Sequence, residues 1–441
     1  MQCNSQMRRL PETEMSKRLV PHTCSPAADL LPDDVLLDIF LRLPPEPTHL
    51  FVASLICLRW RRLIRDPAFL VRFRAFHRAT PVLGFYQNIR DGSRCGIRFV
   101  PIADPAPRLS ALKEYQNGAC RVLDCRHGRV LICDEVFESL FVWDPMAAES
   151  FDVGSLPEFS GEENFTAVLV CTPGHDDHTD CHSAPFRIVL VDNSDDDEEL
   201  LVSVCVFSSE TEAWGEWTSI SPPSLVSTDS AAVVGGFVYW MLGSDEDNYQ
   251  DHILGFEMQT RRLDLIELPK EVQEKYKSDI HLMPAEDGGI GFAGVNLSSL
   301  HFWSRKTDNE GAAGWALIRI IDMAMLPISH KLAGDMLLWS SVAGFADDSD
   351  VLFLHSEAGV FMINLRSKQL KEVPQASDNA IYIYPYTSFY SRGPDIIKDD
   401  KDMALKYRKK KMQAAAQVEA VDKEQTESSS SGHQVHKLLT K

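Results

Sequence analysis

From residue 80 to about 390 the chain keeps to one grammar. Short runs of β-branched, aromatic and aliphatic residues are each cut off by Gly, Pro, Asp or Ser within a few positions. No sustained helical period comes between them, which argues against an α/β fold built on a parallel sheet. The predicted strands include 129–133, 139–143, 165–170, 186–191, 200–207, 232–242, 252–258, 290–295, 299–303, 316–321, 342–345, 351–354 and 359–364. A weak repeat runs through them. Gly128, Gly236 and Gly289 precede RVLICD, FVYWML and IGFAGV, and Asp348 sits in a comparable turn before VLFLHS. The steps are 108, 53 and 59 residues, the first being close to two steps of 54. At roughly 50 residues per unit, this all-β domain predicts a β-propeller of about six blades, because radially packed short sheets leave few open edges. A large β-sandwich or an open β assembly is the competing architecture.

Residues 29–78 follow a different period. Pro32 followed by Asp33 and Asp34 is a helix start, with acids in the positively polarised first turn. Val35, Leu36, Ile39, Phe40 and Leu43 then recur at three- and four-residue spacing, until Pro44-Pro45 ends the helix. Leu50, Phe51, Ser54 and Leu55 form a second periodic stretch, and Cys57, Trp60, Leu63 and Ile64 a third. Asp66-Pro67 marks another restart, followed by Phe69, Leu70, Phe73 and Phe76. Three or four short helices in about 50 residues bury little alone. Such a unit either docks on a partner or caps the β domain.

The stretch LLPDDVLLDIFLRLPPEPTHLFVASLICLRWRRLIRDPAFL resembles an F-box. Leu31-Pro32, Ile39, Leu43-Pro44, Leu50, Leu55, Ile56-Cys57, Trp60, Leu63, Asp66 and Leu70 occupy the places of that family's pattern. Ile56 stands where Val is usual, and Leu58 where a basic residue is common, which alters the rim of the contact. The resemblance implies a substrate-recognition subunit that binds a Skp1-like adaptor and, through it, cullin and a RING protein. It also implies that Leu31, Pro32, Ile39, Leu43, Pro44, Leu50 and Leu55 supply apolar anchors to that interface. Cys57, Trp60 and Leu63 would hold the helices together and in part reach the partner. Segments such as CRHGRVLI, LFVWDP, GGFVYW and GVFMINL extend the likeness to a large group of grass F-box proteins over roughly residues 30–375. That likeness names no substrate. An F-box scaffold outside a ligase, and a propeller-fold enzyme, are the alternatives.

Charge and cysteine usage set the surroundings. The net charge is −20, yet residues 59–78 hold seven arginines against Asp66 alone. A basic hook on an acidic body suits an acidic partner surface and disfavours nucleic acid. The N-terminus lacks an apolar core of signal-peptide type, and no stretch reaches ~18 uninterrupted apolar residues, so neither secretion nor a membrane span is expected. Ten scattered cysteines then suggest a reducing cytoplasm and/or nucleus with most thiols free. Residues 1–28 read as a flexible leader, and 391–441, with KYRKKK at 406–411, as a disordered polar tail whose basic run could serve nuclear targeting.

No constellation of a known chemistry stands out, and no cofactor is expected. Cys171, His175, His178, Cys181 and His182 have ligand-like density, but their spacing fits no standard zinc module and a polar loop is the expectation. The acidic run 195–199 reads as a hairpin turn, and Cys120, Cys125 and Cys133 as core residues. Trp214 and Trp217, after SSETEA, are the candidates for a substrate-binding face; Trp143 and Trp240 read as blade core.

Overall fold

The computed structural model describes residues 31–91, 94–102, 120–135, 138–146, 149–157, 165–172, 181, 184–196, 199–244, 249–276, 280–307, 313–326, 341–356, 359–373 and 382–389. The expected leader, before residue 29, and the tail beyond 390 lie outside them. Among the described residues no helix is long and apolar enough to cross a membrane.

Four helices come first: α1 (Asp33–Leu41), α2 (Pro47–Ile56), α3 (Leu58–Arg65) and α4 (Pro67–His77). Proline opens α2 and α4 at the first turn, where its missing N–H costs nothing. Asp66 caps α4 by accepting from the Ala68 N–H at 3.0 Å. Leu36, Phe40, Leu50, Ile64, Phe69 and Phe73 meet in a small core.

Strands follow. β1 (Val82–Asp91) and β2 (Arg94–Pro101) form a hairpin. Blade one is β3 (Cys120–Arg126), β4 (Arg129–Asp134), β5 (Ser139–Asp144) and β6 (Glu149–Ser155). Blade two is β7 (Phe165–Cys171), β8 (Phe186–Asp196) and β9 (Glu199–Ser208), edged by the short β10 (Ala213–Trp214) and β11 (Thr218–Ile220). Blade three is β12 (Val226–Val234), β13 (Phe237–Ser244), β14 (Tyr249–Glu257) and β15 (Arg262–Glu267). The helix α5 (Lys270–Tyr276) leads into blade four: β16 (Ile280–Pro284), β17 (Ile290–Asn296), β18 (Ser299–Thr307) and β19 (Ala313–Asp322). Blade five is β20 (Ser341–Ala346), β21 (Val351–Ser356), β22 (Gly359–Asn364) and β23 (Gln369–Val373). Finally β24 (Tyr384–Thr387) pairs with β1, so the sixth blade is assembled from both ends of the domain.

The inner strands β24, β3, β7, β12, β16 and β20 each adjoin the next and close a ring. Six apolar clusters fill the six seams between neighbouring blades. Strands enclosed on both faces lose the alternating pattern of a half-exposed strand; every residue of β4 is buried. The fold is thus a six-bladed β-propeller behind four helices, as the repeat predicts.

The repeat markers have a common position. Gly128, Gly236, Gly289 and Asp348 all fall between the first and second strands of their blades. Blade two has a long connection there, from Cys171 to Phe186, and so leaves a double step. One predicted strand needs correction: 232–242 is two strands. Gly235 and Gly236 take φ of 58° and 86°, the left-handed pair that a tight hairpin turn requires.

Arg126 braces the axis. Its guanidinium donates to Asp124 in its own blade (3.0 Å), to Asp347 of blade five (2.7 Å) and to the Ala231 carbonyl of blade three (2.5 Å). Asp124 also accepts from the Leu169 N–H of blade two at 2.8 Å. Beside it, His127 stands 3.3 Å from Asp348. Replacing Arg126 by Met leaves two enclosed carboxylates without their cation, and is expected to cost about 3–5 kcal/mol in chemical denaturation.

His127 carries a pH signature. Burial opposes its charge, but hydrogen bonds to Asp348 and Cys171 outweigh this and push its pKa from 6.5 up to about 10. Its contribution to stability is complete below about pH 6.5 and declines as pH rises towards 10, because there the folded chain holds a proton the unfolded chain has released. Subtracting the stability–pH curve of His127→Gln from that of the wild type should isolate this downward slope.

Candidate partner-docking face

The helices carry more apolar surface than their own core can use. On α1, Leu36 and Phe40 are one turn apart and point inward. Val35 and Ile39 repeat the same spacing one position earlier, about 100° round the helix, and stay exposed. On α2, Leu50, Ala53 and Ser54 are buried while Val52, Leu55 and Ile56 face out. Leu31, Val35, Ile39, Val52, Leu55, Ile56 and Leu58 keep between 37% and 55% of their surface accessible. This much exposed apolar surface on one small unit calls for a partner.

Polar contacts fix the helices that carry these side chains. Arg59 at the start of α3 binds Asp33 at the start of α1 (2.6 Å) and the Leu31 carbonyl (2.6 Å). Arg61 donates to the Ser54 carbonyl of α2 at 3.2 Å. The Trp60 ring meets Phe40 edge-on, with centroids 5.0 Å apart. Cys57 ends α2 and begins α3, and its sulfur accepts from the Trp60 N–H at 3.5 Å.

The expected anchors therefore divide. Leu31, Pro32, Ile39, Pro44 and Leu55 are exposed. Leu43, Trp60 and Leu63 are half-buried against the core cluster. Leu50 is fully enclosed, and this corrects its expected role as an anchor: it lies on the inward phase of α2, in the cluster with Leu36, Ile64 and Phe73. Cys57 is likewise buried, and it is disulfide-bonded; six other cysteines among the described residues are free thiols. The spacing alone does not reveal Val35, Val52, Ile56 and Leu58 as outward; only the phase set by Leu36, Phe40 and Leu50 does.

The helices are not sealed beneath the propeller, but they are fastened to it. Phe389, just beyond β24, is buried in the helical core with its ring 6.4 Å from Phe73. The Thr80 N–H donates to the Asp348 carbonyl (3.2 Å), the Ser349 hydroxyl donates to the Thr80 carbonyl, and the Ser388 N–H donates to the Pro81 carbonyl (3.3 Å). The entering and leaving segments of the body are tied together at one point.

The propeller offers other surfaces. Trp214 and Trp217 are half-buried flanks of the cluster between blades one and two, with Trp214 5.4 Å from Phe207. Trp143 and Trp240 are buried, as expected. More apolar side chains stand out on the outer strand β19, at Leu317, Ile318 and Ile320, beside a concavity of about 820 Å³ between blades four and five. At the axis a polar cavity of about 70 Å³ has room for a few waters. The carboxylates that converge there face Arg126 and His127, an arrangement of bracing more than of acid–base chemistry. Of the Cys/His cluster, Cys171 and Cys181 are described, and His175, His178 and His182 lie outside the described residues. No group of three or more His, Cys, Asp or Glu among the described residues could hold a metal. The acidic run 195–199 falls at the β8–β9 hairpin, Asp196 pairing with Glu199.

Helices with an unfilled outward face, joined to a closed six-bladed propeller, define a two-part protein: a helical hook and a β body. Residues 28–77 match the family model described as F-box-like, and residues 121–391 match that described as F-box protein AT5G49610-like, beta-propeller. The latter spans more than half of the chain, which belongs to this family of F-box proteins. No curated protein matches it. Similar solved structures include a chain of the mitotic checkpoint complex, at 10% identity and a TM-score of 0.33, covering 59% of this chain and 79% of that one. Another is an extracellular domain from B. thetaiotaomicron assigned to a one-component system, at 14% identity and a TM-score of 0.27, covering 66% of this chain and 29% of that one.

The division of the helical residues is measurable. Leu50→Ala should cost about 2–5 kcal/mol in urea denaturation. Ile39→Gln and Leu55→Gln should each stay within about 0.5 kcal/mol of the wild type.

Proposed function

We propose that this F-box protein is the substrate-recognition subunit of a Skp1–cullin–F-box ubiquitin ligase. The F-box face grips a Skp1-like adaptor, and the propeller holds a protein target. The observation that supports this most is the outward apolar set from Leu31 to Leu58, left over after the helical core is complete. Aliphatic anchors of this kind, ringed by polar groups, carry most of the energy of an interface. The basic residues of the same helices suit an acidic partner.

In this reading the protein makes and breaks no bonds. It supplies proximity: a target held near an activated ubiquitin reacts at a raised effective concentration. The tie between Thr80, Asp348, Ser388 and Phe389 supports the role, because it keeps the adaptor-binding helices at a set angle to the target-binding body. The setting that goes with it is the cytoplasm, the nucleus or both.

Affinity purification of the full chain tests the assignment. The wild type should bring down a Skp1-like adaptor together with cullin. The Ile39→Gln/Leu55→Gln double variant should bind the adaptor at least about 10-fold more weakly, as expected for two anchors lost. Adaptor without cullin would favour a scaffold outside the ligase. Unchanged adaptor binding by the double variant would move the interface elsewhere.

A further inference from the structure

Two sulfurs near the mouth of the propeller axis play no part in the adaptor role. Cys171 ends β7, and Cys181 follows ten residues later with its sulfur 3.4 Å away. Cys181 is 1% exposed, whereas Cys171 is only half-buried. Charged groups from blade one surround the pair. His127 hydrogen-bonds to Cys171 and lies 3.3 Å from Asp348. Arg129, held over the Phe186 ring at 5.0 Å and donating to the Ala184 carbonyl at 2.7 Å, feels the charge of both sulfurs and of Asp144.

This setting differs from that of the other thiols. Burial pushes Cys120 up to about 12 and Cys133 up to about 11, and it raises Cys125 and Cys205 as well; these are inert core residues. At the pair, a protonated imidazole and a guanidinium stand beside the sulfurs and favour negative charge. Cys181 is pushed up, first by its hydrogen bond to Cys171 and then by burial. Cys171 is the more exposed of the two sulfurs and the one hydrogen-bonded to His127, which places it to attack first.

We propose that Cys171 and Cys181 form a peroxide-sensitive dithiol, with Cys171 as the attacking thiolate and Cys181 as the resolving thiol. The Cys171 sulfur attacks one oxygen of hydrogen peroxide. The O–O bond breaks, hydroxide leaves, and Cys171 becomes a sulfenic acid. The Cys181 sulfur then attacks the Cys171 sulfur; an S–S bond forms, and the sulfenic oxygen departs with the Cys181 proton as water. The two sulfurs together lose two electrons to the peroxide. Closing the bond needs an approach of only about 1.4 Å from the present separation. The inference does not depend on the ligase assignment.

The full chain, treated with stoichiometric hydrogen peroxide, blocked with an alkylating agent and digested, should give a linked 171–181 peptide as its earliest disulfide product. Dimedone should trap Cys171 as the sulfenic acid when Cys181→Ser removes the resolving thiol. In the untreated wild type at pH 7, iodoacetamide should label Cys171 at least about 10-fold faster than Cys205, and His127→Gln should remove most of that advantage. Labelling of Cys171 no faster than Cys205, with no linked peptide from the wild type, would overturn the proposal. So would one equivalent of zinc co-purifying with the chain and lost in Cys181→Ser, which would make the pair a metal site.

Discussion

The architecture depends on four residues, Tyr384–Thr387, reaching back to pair with β1. Until β24 is in place, the ring of inner strands lacks one member, and β20 and β3 face an open gap. Once it is in place every inner strand has two neighbours, and the seams on both sides of blade six are filled around Phe85, Tyr86 and Tyr386. Open edges invite pairing with other chains, and a closed ring removes the inner ones. The same closure delivers Phe389 into the helical core, so one event completes the propeller and fastens the F-box to it.

That fastening explains how a unit as small as the F-box keeps its geometry. Four short helices cannot bury enough surface to be rigid alone. Here they borrow a ninth buried hydrophobic residue, Phe389, from the end of the body, and their linker is hydrogen-bonded at Thr80 and Pro81. The core is satisfied with one phase of α1 and α2, and the other phase stays exposed among the described residues.

Much of this was legible in the sequence, and the misses have physical causes. The turns at Gly128, Gly236, Gly289 and Asp348 mark four of the six blades, because in those four the first hairpin is tight and holds a residue at positive φ. The sixth blade was illegible. Its strands lie at the two ends of the domain, so no local period can link β1 and β2 to β24. Outer strands such as β6, β15 and β23 are hard to see in the sequence because charged residues interrupt their apolar pattern, a feature that also protects an edge. The F-box motif marks the set of apolar positions but not their phase, which is why the sequence alone makes Leu50 look like an anchor.

In the proposed role, the side chains from Leu31 to Leu58 form the surface that a second protein covers. Hydroxyl-radical footprinting of the full chain, with and without a purified Skp1-like adaptor, reads this side chain by side chain. Bound adaptor should shield Val35, Ile39, Leu55 and Leu58, leave Leu50 unreactive in both states, and leave Leu317 and Ile320 on the propeller unchanged. Protection on β19 with the helical side chains still reactive would contradict it.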